Sequence, residues 1–329
     1  MDRKSRALGS ALVAAAVALT PLAAFAKDWK PQRPIEIVAP AGPGGGWDLL
    51  ARTMQKALTE EKLVDRPIIV SNKPGGGGAT GWNYLKGKEG QGEYLAVTSP
   101  LLIQNNVLGK SELTYKNFTP LAALMTEWEV VAVKADAPWK TGKDFFEALK
   151  KDPDSMHIGV GPALGNDDHI QFLTLTKAYG GDPKKVKFVV YPATASEQIP
   201  ALLGGHIQAI TISMGETMEQ VKAGKLRLLG ISSPERVSDL PDVPTWTEQG
   251  VDFVFPHWRG VIAAPGLSAE QKAFWDATIA KMVASPTWKN SLKTLQWWSF
   301  YQNADQHAAF LAKQTDLMSE TLKDVGLVK

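Results

Sequence analysis

The chain has 329 residues, 44% hydrophobic and 21% charged, with a formal net charge of +2 and no cysteine. That is ordinary globular usage, enough to bury a sizeable core. The missing cysteine excludes a disulfide framework, a thiolate nucleophile, a zinc-cysteine site and a lipid-modified N-terminal cysteine. The near-balanced charge leaves no electrostatic footprint for nucleic acid or an anionic membrane surface.

Residues 1–26 read as a cleaved secretory signal peptide. Arg3, Lys4 and Arg6 precede an alanine-rich, uncharged run that closes on Ala24-Phe25-Ala26, an A-x-A cleavage pattern, so the mature chain starts at Lys27. A membrane anchor fits less well, because Pro21 interrupts the run and no charged stop-transfer segment follows. The segment removes three basic residues and one acidic one, leaving a charge-balanced mature chain. About 300 residues correspond to two lobes of roughly 150 each.

In chain order, Ile35–Ala39 is a branched apolar run that predicts a strand and ends in the loop PAGPGGGWD (40–48). Trp47, Leu50, Ala51, Met54 and Leu58 then recur at helical spacing, with Asp48 in the first turn. The unit repeats: Ile68–Val70 leads into NKPGGGGATGWNY (72–84), with Ala79, Trp82 and Leu85 on one helix face. Tyr94–Val97 predicts a third strand, after which Ser99 is an N-cap and Pro100 the first helical residue.

A second series starts after Leu121. Residues 128–135 predict a strand, and Thr141 to Asp144 a capping-box helix start. Strands at 157–160, 186–191, 207–212 and 226–231 lead into GPALGND (161–167), PATAS (192–196), SMGE (213–216) and SSPER (232–236), each expected to open a helix. This alternation predicts parallel sheets of βαβ units, with ligand loops gathered at the carboxyl ends of the strands. Apolar runs at 251–255 and 260–264 are split by Pro256-His257-Trp258-Arg259. Helices follow from Ser268 to Ala284 and from about Asp305 to Val325, the last closed by Gly326. The C-terminal helices are expected to pack back on the first lobe.

The chemical motifs mostly fail at positions with a physical job. Gly42 to Trp47 places tryptophan where a dinucleotide fingerprint needs its third glycine, and Gln104 to Ser111 has glutamine where a Walker A loop needs its first. The five histidines show no paired ligand spacing, so no metal or cofactor is expected; capping and dipole compensation account for Asp167 and Asp168. No G-x-S-x-G elbow presents a serine, and nothing else asks for catalysis. Trp275, Trp288, Trp297 and Trp298 read as core, as do Trp47 and Trp82 on their helix faces. What the two glycine loops do offer is a concave row of backbone N–H groups with a helix N-terminus behind, a nest for a small anion such as a carboxylate.

The runs IEIVAPAGPGGGWDLLARTMQ (35–55), NKPGGGGATGWNYL (72–85), GNDDH (165–169), Tyr191-Pro192 ahead of ALLGGHIQA (201–209), and DVPTWTEQGVDF with WRG (242–260) resemble the periplasmic solute receptors of tripartite tricarboxylate transporters. The resemblance spans essentially the whole mature chain, and the P-G-G-G-W-D loop resembles the branch associated with citrate and related tricarboxylates. It implies a type II periplasmic-binding-protein fold, two α/β lobes with helices on both faces of each sheet, joined by crossing strands. Lobe 1 would hold residues 27–126 and 256–329, and lobe 2 residues 127–255.

It further implies a monomeric, non-enzymatic receptor that binds a small polycarboxylate, citrate-like by the loop form, and serves the membrane subunits of such a transporter. A sensor partner or a periplasmic carboxylate enzyme are the alternatives. Carried over, the ligand residues are Gly44, Gly45, Gly46, Trp47, Asp48, Gly76, Gly77, Gly78, Ala79, Thr98 and Ser99, with Gly161, Asn166, Asp167, Thr194 and Ser213 from lobe 2. Asp48 and Asp167 are acidic, so a capping or water-holding role is expected of them. Arg259 is the best-placed cation, and a structural ion pair is its plainer role.

Overall fold

The computed structural model describes residues 29–161, 164–192 and 194–328. The predicted signal peptide, and Pro162, Ala163 and Ala193 of two predicted loops, lie outside them. The first series runs β1 (Ile35–Ala39), α1 (Gly46–Glu60), β2 (Ile68–Asn72), α2 (Ala79–Lys86), β3 (Tyr94–Thr98) and α3 (Pro100–Val107), followed by the long β4 (Thr119–Lys134). The second runs α4 (Gly142–Lys151), β5 (His157–Val160), α5 (Asp167–Ala178), β6 (Lys187–Val190), α6 (Ala195–Leu203), β7 (Ala209–Ser213), α7 (Met214–Lys222) and β8 (Leu226–Ile231). The chain closes with β9 (Pro256–Ala263), α8 (Ala269–Ala284), α9 (Pro286–Leu295), β10 (Trp298–Gln302) and α10 (Ala304–Asp324).

Most predicted starts and stops hold for the predicted reason. Ser99 caps α3 through its hydroxyl with Pro100 next, Thr141 and Ser268 form capping boxes, and Gly326 sits at φ +77 just past α10. Three expectations fail. No α-helix follows β8, because Pro234, Pro241 and Pro244 break residues 232–255 into turns. The Pro256–Arg259 tetrapeptide does not split two strands; it is the first half of β9, and residues 251–255 stay irregular. The strand expected at 128–135 belongs to a 16-residue strand that already starts at Thr119, since residues 119–127 are buried on both faces and show no alternation to read.

The sheet is mixed rather than parallel. β1 pairs β2 and β3 in parallel and β5 pairs β6 and β7 in parallel, but β3–β9, β4–β9, β4–β7, β4–β8 and β4–β10 are antiparallel. The single strand β4 joins two half-sheets: its first part, to Trp128, pairs β9 and β10, and from Glu129 on it pairs β7 and β8. The fold is therefore two α/β lobes sharing crossing strands.

One core packs β1, β3, α1 and α2 against α8 and α9, including the fully buried Trp275 and Trp288. Two more cover the faces of the second half-sheet. α10 departs from expectation: Leu311, Met318 and Leu322 pack with Ile103 of α3 and Ile170 of α5, so this helix touches both halves rather than the first alone. No helix among the described residues is long and apolar enough to cross a membrane.

Candidate functional site

The two glycine loops form one unit. Gly75, Gly76, Gly77 and Gly78 all have positive φ (128, 57, 61 and 98°), a left-handed run that other residues enter only with strain. Asn105 Nδ2 donates to the Gly77 carbonyl at 3.0 Å, and a Cβ on Gly78 would strike the Trp82 and Trp47 rings. Those rings lie 5.3 Å apart, and the Trp82 indole N–H donates to the Val97 carbonyl.

Asp48 ties the first loop to β2. It accepts from the Gly44 N–H (2.9 Å), from Arg52 (2.9 Å) and from Asn72 (2.8 Å), while Asn72 also donates to the Ala41 carbonyl. Burial pushes its carboxyl up, but the Arg52, Gly44 and Asn72 donors outweigh this and hold it below the usual range. The first N–H groups of α1, from Gly45, Gly46, Trp47 and Asp48, have no intrahelical acceptor by construction. The helix dipole adds partial positive charge at this end.

Beneath α1 sits Arg259. A Cβ on Gly46 would lie 2.7 Å from its Nη2, so glycine is needed there for close approach. The Arg259 side chain is 10% exposed and pairs with Glu127 at 2.8 Å through Nη2, whereas Nε and Nη1 are buried without a partner. The ion pair expected of Arg259 is thus present and uses one corner of the guanidinium. Thr98, on β3 opposite Gly260, also has an unpartnered buried hydroxyl, and Ser99 spends its hydroxyl on the α3 cap.

The crossing strands explain the charges. Glu127 and Glu129 share a face of β4, His257 and Arg259 the adjoining face of β9, and Glu127 lies directly opposite His257. Each cation then reaches the diagonal acid: Arg259 to Glu127, and His257 Nδ1 to Glu129 at 2.6 Å. Glu129 is fully buried and also accepts from Ser213 Oγ at 3.0 Å; the Trp297 indole donates to Glu127 at 2.7 Å. Trp297, expected as core, is thus also a support for this cluster.

Across the crevice, Asn166 caps α5 and donates to the Gly161 carbonyl, and a Cβ on Gly161 would lie 2.6 Å from the Tyr191 carbonyl. Asp167 and Asp168 are not caps, because Asn166 fills that position. Asp167 accepts from Gln104 of α3 and lies 3.5 Å from His257 Nε2. Burial and the Glu129 charge raise Asp167, and they raise Asp168 well above its ordinary value. Thr194, at φ +49, directs its hydroxyl to Glu216 at 3.4 Å. Glu216 opens onto solvent on one side while protein crowds the others; this crowding, with Glu129 and Glu127 nearby, raises it to about 7.

The structure therefore gathers Gly44–Asp48, Gly76–Ala79, Thr98 and Arg259 on one wall, and Asp167, Ser213 and Thr194 with Glu216 on the other. Gln104, Glu127, Glu129, Glu216 and His257 escaped sequence reasoning. The signal for Glu127, Glu129 and His257 was two charged residues spaced i, i+2 inside each of two apolar runs, Glu127/Glu129 and His257/Arg259; Gln104 and Glu216 carried none. Among the described residues no three acidic or histidine groups are placed to hold a metal. A hollow of about 620 Å³ between the end of α1 and β2 lies at the opposite end of those elements from the glycine loops.

Burial opposes the His257 charge, but Asp167 and Glu129 outweigh it and raise the ring to about 9. Against an ordinary value near 6.5, its stabilising contribution is complete below about pH 6.5 and is lost as pH rises through about 9. Urea midpoints of the wild type should fall across that window, and those of His257→Gln should be lower at pH 6.5 and flatter above it. Parallel curves would show that the ring is not charged in the fold.

These features define a two-lobed α/β protein with its glycine loops at the strand ends of one lobe. The chain belongs to the tripartite tricarboxylate transporter receptor family, whose model matches residues 50–327. A protein encoded in the gbd 5' region of Cupriavidus necator is 28% identical over 326 residues, covering 98% of this chain and 96% of that one. A TctC solute-binding protein from Polaromonas, solved without ligand, is 30% identical with a TM-score of 0.75, covering 89% of this chain and 99% of that one. MatC from Rhodopseudomonas palustris, solved with bound malate, is 22% identical with a TM-score of 0.71, covering 90% and 99%.

Proposed function

We propose that the mature protein is a periplasmic receptor, exported by cleavage after Ala26, that captures a small organic carboxylate between its lobes and hands it to the membrane subunits of a tripartite tricarboxylate transporter. Residues 27–126 with 256–329 form one lobe and 127–255 the other. The observation that carries the ligand class is Arg259: a nine-tenths buried guanidinium with two unpartnered N–H-bearing nitrogens, set under the open N-terminus of α1. Buried N–H donors without an acceptor are costly, and a charged guanidinium donates strongly to a carboxylate.

The ligand residues are those of the glycine loops, Thr98 and Arg259 on the first wall, with Gly161, Asn166, Asp167, Thr194 and Ser213 shaping the second. Ligand biases the closed form because only there do both walls contact it. The protein acts as a monomer and without catalysis. Malate in MatC supports the carboxylate class; citrate, favoured by the form of the first loop, is one arm of the test.

Thermal-shift screening against citrate, isocitrate, aconitate, succinate, glutamate and aromatic carboxylates tests this directly. A true ligand at a hundredfold excess over its Kd should stabilise by about 2.7 kcal/mol. No shift with any carboxylate at millimolar concentration would overturn the receptor reading.

A further inference from the structure

Resting on the lobe-closure reading but on no particular ligand, we infer that residues 104–110 of the first lobe form a latch: Gln104 and Lys110 grip residues 164–167, which open α5 of the second lobe, and hold the lobes together before any ligand enters. This is the segment whose Gly-Lys-Ser fails as a phosphate loop. Its shape is fixed locally. α3 ends at Val107, Gly109 turns the chain at φ +70, the Lys110 and Ser111 N–H groups both donate to the Asn105 carbonyl (2.8 and 3.1 Å), and Asn106 donates to the Ser111 carbonyl at 3.1 Å. Lys110 therefore leaves from a closed turn.

Contacts from this part of the chain to the second lobe run from buried to exposed. Ile103 and Ile170 share one apolar cluster with Leu311, Met318 and Leu322 of α10. Gln104, fully buried, donates through Nε2 to the buried Asp167 carboxylate. Leu108 lies so close to Gly165 that a Cβ added there would sit 2.8 Å from the leucine Cδ1. At the exposed end, Lys110 Nζ donates to the Leu164 carbonyl at 3.2 Å. The receiving segment is itself fixed: the Gly165 N–H donates to His169 Nδ1 at 2.9 Å, and Asn166 both caps α5 and donates to the Gly161 carbonyl.

These contacts suit a joint that opens. Gly165 has no side chain to interlock with Leu108, and Leu164 gives Lys110 its backbone oxygen, so the outer half separates without unpacking a core. The two isoleucines and α10 stay packed as the pivot. Gln104 sets the strength: its bond to a carboxylate is charge-assisted and buried, whereas the exposed lysine contact competes with water. A latch formed without ligand raises the population of the closed form, and apparent affinity scales with that population for any ligand that needs both walls.

The test is a pulsed-EPR distance measurement on the ligand-free mature chain. The protein has no cysteine, so spin labels at Lys86→Cys on α2 and Lys222→Cys on α7, both exposed positions and one in each lobe, meet no background. The latched chain should give one dominant distance. Gln104→Glu sets two carboxylates together and should move at least half of the population to a second distance, while Lys110→Ala should move a smaller share. Gln104→Glu combined with Asp167→Asn re-forms the bond with donor and acceptor exchanged and should return the original distribution, a rescue that a merely space-filling side chain would not show. An unchanged distribution in Gln104→Glu, or no return in the double variant, overturns the latch; where Gln104→Glu does not fold, an unchanged distribution in Lys110→Ala does so. No ligand is added, so the receptor reading stands or falls separately, on the thermal-shift screen.

Discussion

Replacing Glu129 with alanine is expected to lower the unfolding free energy by about 3–5 kcal/mol, the usual cost of removing one partner from a buried ion pair. Glu129 has no exposed surface. Its loss leaves His257 with only the longer contact to Asp167 and frees the Ser213 hydroxyl. The cavity adds to this. Urea denaturation at pH 6.5 measures the effect, and the pH dependence above 7 should flatten as well, because the ring loses an anion that keeps it charged. A midpoint within 0.5 kcal/mol of wild type would show the cluster to be uncoupled. Glu129→Gln, which keeps volume and one acceptor, should fall between the two.

Replacing Arg259 with glutamine should weaken ligand binding by two to three orders of magnitude, within the roughly 2–5 kcal/mol typical of truncating a buried charge pair. Arg259→Lys should not rescue it, because an ammonium cannot serve Glu127 and a ligand carboxylate from one planar fork. Gly46→Ala is the companion variant. Its Cβ would meet the far end of the flexible Arg259 side chain at 2.7 Å, so the guanidinium moves, the fold survives and affinity is lost. Gly45, one residue earlier, has φ −74, and a methyl group added to it would meet nothing nearer than 3.6 Å. Alanine there should bind nearly as wild type. Equal affinity in all four proteins would leave Arg259 a structural ion pair and no more.

The contrast between Gly45 and Gly46 shows how far the sequence reaches. Both glycines read from the sequence as part of the proposed anion nest, with a tight strand-to-helix turn as the plainer use of such a run. Which of them touches Arg259 depends on a contact between segments far apart in the chain, and no local pattern encodes it. His257 was likewise visible as one histidine without a partner. Its partner, Glu129, is reached only when β4 and β9 pair in register with Glu127 opposite His257.

Helix and strand starts lay in the chain itself, because caps, prolines and apolar periodicity act over three to five residues. Thus Ser99-Pro100, Thr141 to Asp144 and Ser268 to Gln271 marked their helices correctly, and the prolines after Ile231 were available to veto the helix expected there. The length of β4, the antiparallel crossings and the reach of α10 across both halves were decided by tertiary structure. A strand buried on both faces carries no alternation, and a crossing is a relation between segments. So the sequence by itself determined an α/β chain with two glycine nests at strand ends. The tertiary structure alone decided that a half-paired arginine lies beneath one of them and that His257 meets Glu129, because these charges find their partners through the register of β4 and β9 and not through spacing along the chain.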